Sequence, residues 1–177
     1  MGNRIKKLIA ITVIFLLLLV IYIALRTHNI KRAGNHPEGK LLITGVSTED
    51  ITGLSFDYGN ETYSYVLKDN VWYYIEGADR EISQYRLRKS VGNLLELTSV
   101  DSIETKDLSS FGLNPPKRTI SATTKDGSVI TLYVGNKNET SGIYYMMKDS
   151  DDTVYIVEYY APGEFDYTPE DIYTSNE

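Results

Sequence analysis

The stretch ITGLSFDYGNETYSYVLKDNVWYYI, residues 51–75, decides the fold of this 177-residue chain. In residues 54–58 and again in 63–67, apolar or aromatic residues occupy alternate positions. Tyr-Gly-Asn-Glu at 58–61 and Asp-Asn at 69–70 separate these runs from each other and from the aromatic run that follows. Short alternating runs bounded by Gly, Asn and Asp are typical of antiparallel strands joined by tight turns. The stretch therefore predicts a β-meander.

One amphipathic helix is predicted next, over residues 83–98. Ser83 is a suitable N-cap, because its hydroxyl can accept a hydrogen bond from the first turn of the helix. Residues on one face recur at helical spacing, at Leu87, Val91, Leu94, Leu95 and Thr98. A helix of this kind between groups of strands indicates an α+β layer structure.

The second half of the chain repeats the β pattern. Residues 118–124 and 129–134 flank an Asp-Gly turn, and residues 143–147 and 153–157 form a second predicted hairpin. Two groups of strands separated by a helix suggest a diverged internal duplication. The predicted fold class is α+β: one domain of antiparallel β-hairpins with a packed amphipathic helix, preceded by a single transmembrane helix.

The transmembrane prediction rests on Leu8–Leu25, eighteen residues without a charge. As a helix they would span roughly 27 Å, close to the hydrocarbon thickness of a bilayer. A cleaved secretory signal is the alternative interpretation, but Tyr22 and Lys31 occupy the −3 positions of the nearest cleavage sites, where a small residue is needed. Three Lys or Arg residues flank the span on each side, and the α-amino group favours an N-terminus inside the cell.

These patterns divide the chain into five predicted parts. They are a cytoplasmic N-terminus (1–7), a transmembrane anchor (8–25), a linker (26–47), an extracytoplasmic α+β domain (48–160) and an acidic mobile tail (161–177). The tail contains two prolines, five acids and no basic residue, which is why mobility is expected. The expected location is the cell membrane, crossed once, with the domain outside the cytoplasm.

Charge argues against nucleic acid as a partner. The chain has a net charge of −6, but all twenty-four acids lie at or beyond Glu38 together with only twelve bases, so residues 37–177 carry −12. A domain this acidic repels phosphates. The simplest interpretation of the negative charge is that it keeps an exposed domain soluble.

The side chains of most catalytic sites are missing from the predicted domain. Cysteine is absent, and both histidines, His28 and His36, lie in the predicted linker. No thiolate nucleophile or imidazole base can therefore be assembled in the domain. No phosphate-binding glycine motif occurs, and the Asp149–Asp152 cluster fails the EF-hand pattern. The sequence predicts a protein that is not an enzyme and has no cofactor or metal.

Surface aromatic residues are the first candidates for a contact with sugars or peptide stems. They are Trp72, Tyr73 and Tyr74 in one predicted strand and Tyr144 and Tyr145 in another. Adjacent strand residues point to opposite faces, so at most one of each neighbouring pair can lie on a given face. The alternative is that one face of these residues belongs to the core.

The second candidate is a basic cluster, Arg86, Arg88 and Lys89, on the predicted helix. It could contact an acidic partner or lipid headgroups. The alternative is an ordinary solvated helix face.

The run DLSSFGLNPP, residues 107–116, resembles the DLS-x-[YF]-G-L-x-x-P motif of the domain of unknown function 4340 family. The similarity continues through segments 125–127, 132–136, 142–146 and 154–157, and with the upstream strands and helix it covers about residues 48–160. The resemblance implies an extracytoplasmic bacterial protein with an N-terminal anchor. It also implies an encoding gene beside ATP-binding-cassette (ABC) export components of the gliding-motility-auxiliary type. It supplies no catalytic residues.

The predicted function is that of a membrane-anchored extracytoplasmic interaction domain. From the resemblance, we expect an accessory subunit of an ABC export-type complex, with permease or other membrane subunits as partners. The lipid bilayer would be contacted through residues 8–25. The alternative is a cell-wall or glycan-binding module that uses the surface aromatic residues.

Overall fold

A computed structural model of the protein describes residues 39–77, 79–149, 151–158 and 160–174. The predicted N-terminus, anchor and most of the linker lie outside these described residues. No helix within the described ranges is long and apolar enough to cross a membrane.

The described residues form one antiparallel sheet of nine strands. In chain order the strands are β1 (Lys40–Leu41), β2 (Ile51–Tyr58), β3 (Glu61–Lys68), β4 (Val71–Tyr74), β5 (Thr98–Glu104), β6 (Arg118–Thr124), β7 (Val129–Lys137), β8 (Tyr144–Lys148) and β9 (Thr153–Val157). Their order across the sheet is β1-β5-β9-β8-β7-β6-β2-β3-β4. The predicted meander is β2–β3–β4, and the two later hairpins are β6–β7 and β8–β9. The α+β class is confirmed.

The two groups of strands meet inside the sheet, where β2 pairs with β6. β2–β3–β4 continue to one edge, and β6 to β9 continue towards the other. The internal duplication stays a prediction. β5, which the sequence did not predict, follows the helix and crosses to the far side of the sheet, where it pairs with β9. Its sequence, TSVDSIE, is mostly polar and lacks the aromatic alternation of the other strands.

Turn residues explain the tight β3–β4 connection. Asp69 and Asn70 both have positive φ angles, 49° and 63°. Two successive residues with positive φ are the geometry of a type I′ hairpin turn, and Asp and Asn tolerate it better than most other residues. The local sequence therefore sets the register of this hairpin.

The helix α1 spans Gln84–Leu95, three residues shorter at its C-terminal end than predicted. The Ser83 hydroxyl accepts a hydrogen bond from the backbone N–H of Arg86 at 3.3 Å, as expected of an N-cap. Leu87, Val91 and Leu94 are buried against the sheet, whereas Leu95 is only half-buried. Thr98, predicted on the helix face, is instead the first residue of β5.

The hydrophobic core lies between α1 and one face of the sheet, which we call the core face. Phe56 is central: its ring stacks on Tyr65 with a centroid separation of 5.7 Å. Phe165 and Tyr167 contact the same ring edge-on, at 5.4 and 4.9 Å. Because Phe165 and Tyr167 come from the last part of the chain, the core joins elements more than a hundred residues apart.

The prediction of a mobile tail is wrong for the described residues 162–174. After the single-turn helix α2 (Tyr160–Gly163), Phe165 and Tyr167 are 0% and 3% exposed, and Ile172 is 5% exposed. The backbone N–H of Ser83 also donates to the Ile172 carbonyl at 2.7 Å. The acidic composition suggested solvation, but the apolar residues spaced between the acids all pack inwards.

The predicted linker also ends earlier than residue 47. β1 pairs with β5, and the following residues Leu42 and Ile43 are 5% and 4% exposed. Residues from Gly39 onwards therefore belong to the domain, because two buried aliphatic side chains attach them to the core.

Helix packing can be tested with two neighbouring leucines. Leu94→Ala should lower the free energy of unfolding by about 2–5 kcal/mol, because Leu94 is fully buried and its truncation leaves a cavity. Leu95→Ala should cost clearly less, since that side chain is only half-buried. Urea unfolding followed by the fluorescence of the single tryptophan gives both values. Equal losses would contradict the helix face observed here.

Docking of the tail can be tested with a matched pair of aromatic substitutions. Phe165→Ala should destabilise the domain by about 3–5 kcal/mol, because the ring is completely buried against Phe56. Tyr85→Ala, at a ring that is 75% exposed, should change stability by less than about 0.5 kcal/mol. The same unfolding assay compares them, and a tail that contributed nothing would leave both midpoints unchanged.

Candidate functional site

The sheet face opposite the core carries a row of hydroxyl side chains across four adjacent strands, β3, β2, β6 and β7. Ser64, Ser55, Ser121 and Thr131 lie side by side in register and are all half-buried. The hydroxyl oxygens of Ser55 and Ser64 are 3.0 Å apart, and those of Ser121 and Thr131 are 3.2 Å apart. We call this surface the open face. Each hydroxyl has a further hydrogen-bonding capacity available to a second molecule.

The sequence analysis did not identify the open face. Its signal is present in the chain, since Ser or Thr occupies alternate positions 119, 121 and 123 of β6. Such alternation predicts a polar sheet face. It does not predict which hydroxyls of other strands lie beside it, because that depends on strand order.

A carboxylate marks one side of the open face. Asp57 accepts hydrogen bonds from the Thr62 hydroxyl at 2.6 Å and from the backbone N–H of Thr119 at 2.8 Å. Both of its oxygens are engaged by the protein, so Asp57 braces three adjacent strands. The residues in the hydroxyl row itself carry no charge.

The structure divides the aromatic candidates of β4 between the two faces. Trp72 and Tyr74 are 3% and 8% exposed and belong to the core, whereas Tyr73 is half-buried on the open face. The prediction of a surface contact is therefore wrong for Trp72 and Tyr74. The alternation of adjacent strand residues, which limited the platform to one member of each pair, accounts for this.

The edge backbone around Trp72 is occupied by a side chain from the helix. Gln84 accepts a hydrogen bond from the Trp72 N–H at 2.7 Å and donates one to the Trp72 carbonyl at 2.9 Å. This side chain takes the place of a neighbouring strand at the edge position, which limits edge-to-edge pairing there.

The aromatic candidates of β8 are divided in the same way. Tyr144 packs partly against the core. Tyr145 points to the other face, where its ring contacts that of Phe111 at 4.9 Å. Tyr73 and Tyr145 are thus the two aromatic candidates that share the open side of the sheet.

The basic candidates bind the protein's own chain. Arg86 and Lys89 both form salt bridges with Glu164, at 3.3 and 3.2 Å. The Arg86 guanidinium also lies 4.8 Å from the centre of the Tyr167 ring. Arg88 donates to the Asn70 carbonyl at 2.6 Å. Two of the three cations therefore hold the C-terminal segment, a role that neither interpretation of the cluster predicted.

The loop that carries the family motif is built by its own side chains. Asp107 accepts from the backbone N–H and the hydroxyl of Ser110 at 3.3 and 2.5 Å, which organises a 3-10 turn at Ser109–Phe111. Gly112 follows with a φ of 67°, and Leu113 is 3% exposed. The Asp of the motif thus caps the turn, its Gly adopts the left-handed backbone conformation, and its Leu is buried in the protein interior.

A second glycine lets this loop lie against β7. A Cβ atom at Gly135 would collide with the carbonyl oxygen of Phe111 and would come 2.9 Å from Leu113. The motif residues therefore specify close packing between the loop and the sheet.

Comparison with models of protein families identifies the family to which this motif belongs. The model of the family described as a domain of unknown function, DUF4340, matches residues 72–176, which is more than half of the chain. This chain belongs to the DUF4340 family. The DUF4340 match begins at β4 and includes the C-terminal segment, whereas the sequence resemblance covered about residues 48–160. Searches of curated proteins and of solved structures found no significant match.

The ionisable groups of this DUF4340 domain are tuned by local hydrogen bonds. Burial raises the pKa of Tyr167 to about 12, and a hydrogen bond to Glu61 raises that of Tyr63 to about 12, so both phenols stay neutral. Burial also raises the pKa of Tyr65, whose hydroxyl has no hydrogen-bond partner among the described residues. No group of three or more His, Asp or Glu side chains in the described ranges is placed to hold a metal.

Acid stability offers a test of the motif turn. Hydrogen bonds from neighbouring hydroxyl or backbone groups hold the pKa values of five aspartates below the ordinary range: Asp50, Asp107, Asp126, Asp151 and Asp171. A depressed folded-state pKa contributes stability above the unfolded value of about 4, and this contribution is lost as the pH falls through the folded value. The midpoint temperature of thermal unfolding should therefore decrease as the pH is lowered below about 4.

Asp107→Asn should lower the thermal midpoint at pH 7 and make its fall in acid less steep, because the carboxylate that Ser110 stabilises is gone. Asp152→Asn is the control, at an exposed carboxylate with no hydrogen bond to another described residue. Scanning calorimetry from pH 7 to pH 3 compares the variants. An unchanged acid slope for Asp107→Asn would be the contrary result.

Proposed function

We propose that this DUF4340 domain is a membrane-anchored, extracytoplasmic interaction domain whose open face docks against a subunit of a membrane complex. The observation that carries the proposal is the uncharged hydroxyl row across strands β3, β2, β6 and β7, Ser64-Ser55-Ser121-Thr131. The other face of the same strands is already covered by α1 and the C-terminal segment. The open face is thus the broad surface of the sheet that a partner could reach.

The distribution of charge supports a protein partner. Many carboxylates lie in the turns around the sheet, such as Asp69, Asp126 and Asp149, while the hydroxyl row is neutral. A centre depleted of charge and a polar, solvent-accessible rim are features of protein–protein interfaces. The net charge of −12 over residues 37–177 favours a partner with a basic surface.

The uncharged segment Leu8–Leu25 supports a location at the membrane. An anchor raises the local concentration of the domain beside other membrane proteins, so a modest contact would suffice for association. The type of complex comes from the family resemblance: an accessory subunit of an ABC export-type transporter, in contact with its permease.

A role without catalysis is part of the proposal. The chain contains no cysteine, and its two histidines precede the described domain. Many of the carboxylates that could act as acids or bases are engaged in local structure, as Asp57, Asp107 and Asp171 show. These groups cap turns and brace strands, which favours an accessory role.

A glycan-binding module of the cell wall is the second candidate. It is favoured by the presence of Tyr73 and Tyr145 on the open side of the sheet, because aromatic rings beside hydroxyls suit sugar rings. Trp72 no longer supports this candidate, since it belongs to the core.

Site-specific photo-crosslinking in cells tests both candidates. Tyr145 on the open side of the sheet and Tyr85 on the exposed side of α1 would each be replaced by p-benzoylphenylalanine in the full-length protein. The two substitutions are chemically matched, and Tyr85 is the more exposed of the two side chains. We expect a discrete adduct from position 145 and none from position 85.

The identity of the adduct separates the candidates. A permease or ATPase subunit at position 145 supports the accessory role, and wall polymer supports the glycan-binding module. Adducts of equal yield from both positions, or from neither, would overturn the docking of the open face.

A further inference from the structure

A cavity of about 580 Å³ lies away from the open face, beside α1. Its walls come from the 3-10 turn at Thr48–Asp50, the β3–β4 hairpin, α1 and the β6–β7 turn. A volume of this size is within the range of small-molecule sites. The cavity combines an apolar wall with two cationic side chains, and this combination suggests a ligand.

The apolar wall consists of Leu67, Trp72 and Val91. Trp72 and Val91 are 3% and 2% exposed, so they are held rigidly in the core and present only an edge to the cavity. Such a wall can bury the apolar body of a small molecule without rearrangement of the protein.

The cations are Arg88 from α1 and Lys125 from the β6–β7 turn. Neither forms a salt bridge with another described residue, in contrast to Arg86, Lys89 and Arg118, which do. Both positions are braced: Arg88 donates to the Asn70 carbonyl at 2.6 Å, and the backbone N–H of Lys125 donates to the Asp50 carbonyl at 2.7 Å. Both positive charges therefore lie at one cavity without a direct ion pair among the described residues, and Asp50 interacts with Lys125 only through its charge.

The charge balance of this cavity is unusual for the domain. Arg88 and Lys125 outweigh its single carboxylate, Glu49, so the lining carries one net positive charge. The linings of four other cavities in the described part of the chain each contain between one and three more carboxylates than cations. In a domain with twice as many acids as bases, an anion would be attracted here and repelled from those other cavities.

We propose that this cavity binds a small organic anion, a carboxylate carried on an apolar body. The carboxylate lies between the free N–H groups of Arg88 and the ammonium group of Lys125, and the apolar body lies against Leu67, Trp72 and Val91. Arginine is suited to this role because its planar guanidinium matches the geometry of a carboxylate. The site is separate from the open face, so its failure and the failure of the docking proposal are distinguishable.

The protein contains its own reporter for this site, because Trp72 is the single tryptophan of the chain and forms part of the cavity wall. The experiment titrates the full-length protein, purified in a non-ionic detergent, with 5-bromopentanoate while the tryptophan emission is recorded. Bromine quenches indole fluorescence on contact. We expect saturable quenching with half-saturation at about 1 mM, a value reasonable for a ligand of this size. The neutral analogue 5-bromopentanol should quench weakly and linearly.

Three charge variants locate the probe. Lys125→Gln should weaken binding roughly threefold to tenfold, and Glu49→Gln should strengthen it roughly threefold, because the first removes an attractive charge and the second a repulsive one. Lys117→Gln is the control: it removes one positive charge from an exposed position that does not line the cavity. Lys125 is preferred to Arg88 because Arg88 also tethers the β3–β4 turn.

The outcomes are decisive in both directions. Saturable quenching that follows the predicted order of the variants supports the site. Linear quenching, equal quenching by the alcohol, or identical affinities of Lys125→Gln and Lys117→Gln would overturn it. The last of these results would indicate binding in the neighbouring cavity that Trp72 also lines.

Discussion

The burial of Phe56 is the interaction on which the rest of the domain depends. Its strand, β2, lies inside the sheet between β6 and β3, and its ring is in contact with Tyr65 of the next strand and with Phe165 and Tyr167 of the C-terminal segment. Aromatic pairs of this kind add to the free energy of burial through their edge-to-face and offset geometry. The core is therefore complete only when the last part of the chain is in place. The salt bridges from Arg86 and Lys89 to Glu164 fasten that segment from outside.

Closure of the core on one side of the sheet determines what the other side can do. The helix and the C-terminal segment cover the core face, so the opposite face keeps its hydroxyl row towards solvent. The same packing engages three cations: Arg86 and Lys89 form salt bridges with Glu164, and Arg118 forms one with Asp166. Arg88, which contacts a neutral carbonyl instead, keeps its charge available. The two proposals, a docking face and an anion site, both follow from this division of polar groups.

The residues that this chain shares with the DUF4340 motif have roles in packing and turn geometry. Asp107 caps its turn, Gly112 adopts a positive φ, Leu113 is buried, and Gly135 allows the loop to touch β7. Each of these roles restricts the residue type: glycine at a positive φ or at a close backbone approach, a short hydrogen-bonding side chain at the cap, and an apolar side chain in the interior. The motif is thus informative about the fold and gives no direct information about chemistry.

Sequence alone determined the hairpins, the helix and the α+β class. Alternation, turn residues and a helical cap are local signals, and they can be recognised without knowledge of the tertiary structure. It also indicated that neighbouring aromatic residues of one strand must lie on opposite faces. Tertiary structure decided that Trp72 is buried, that the C-terminal segment docks, and that β5 joins the sheet. It alone brought Arg88 and Lys125 to one cavity. These features depend on contacts between distant parts of the chain, and polar or acidic segments such as 98–104 and 162–174 reveal their packing only when the core they complete is known.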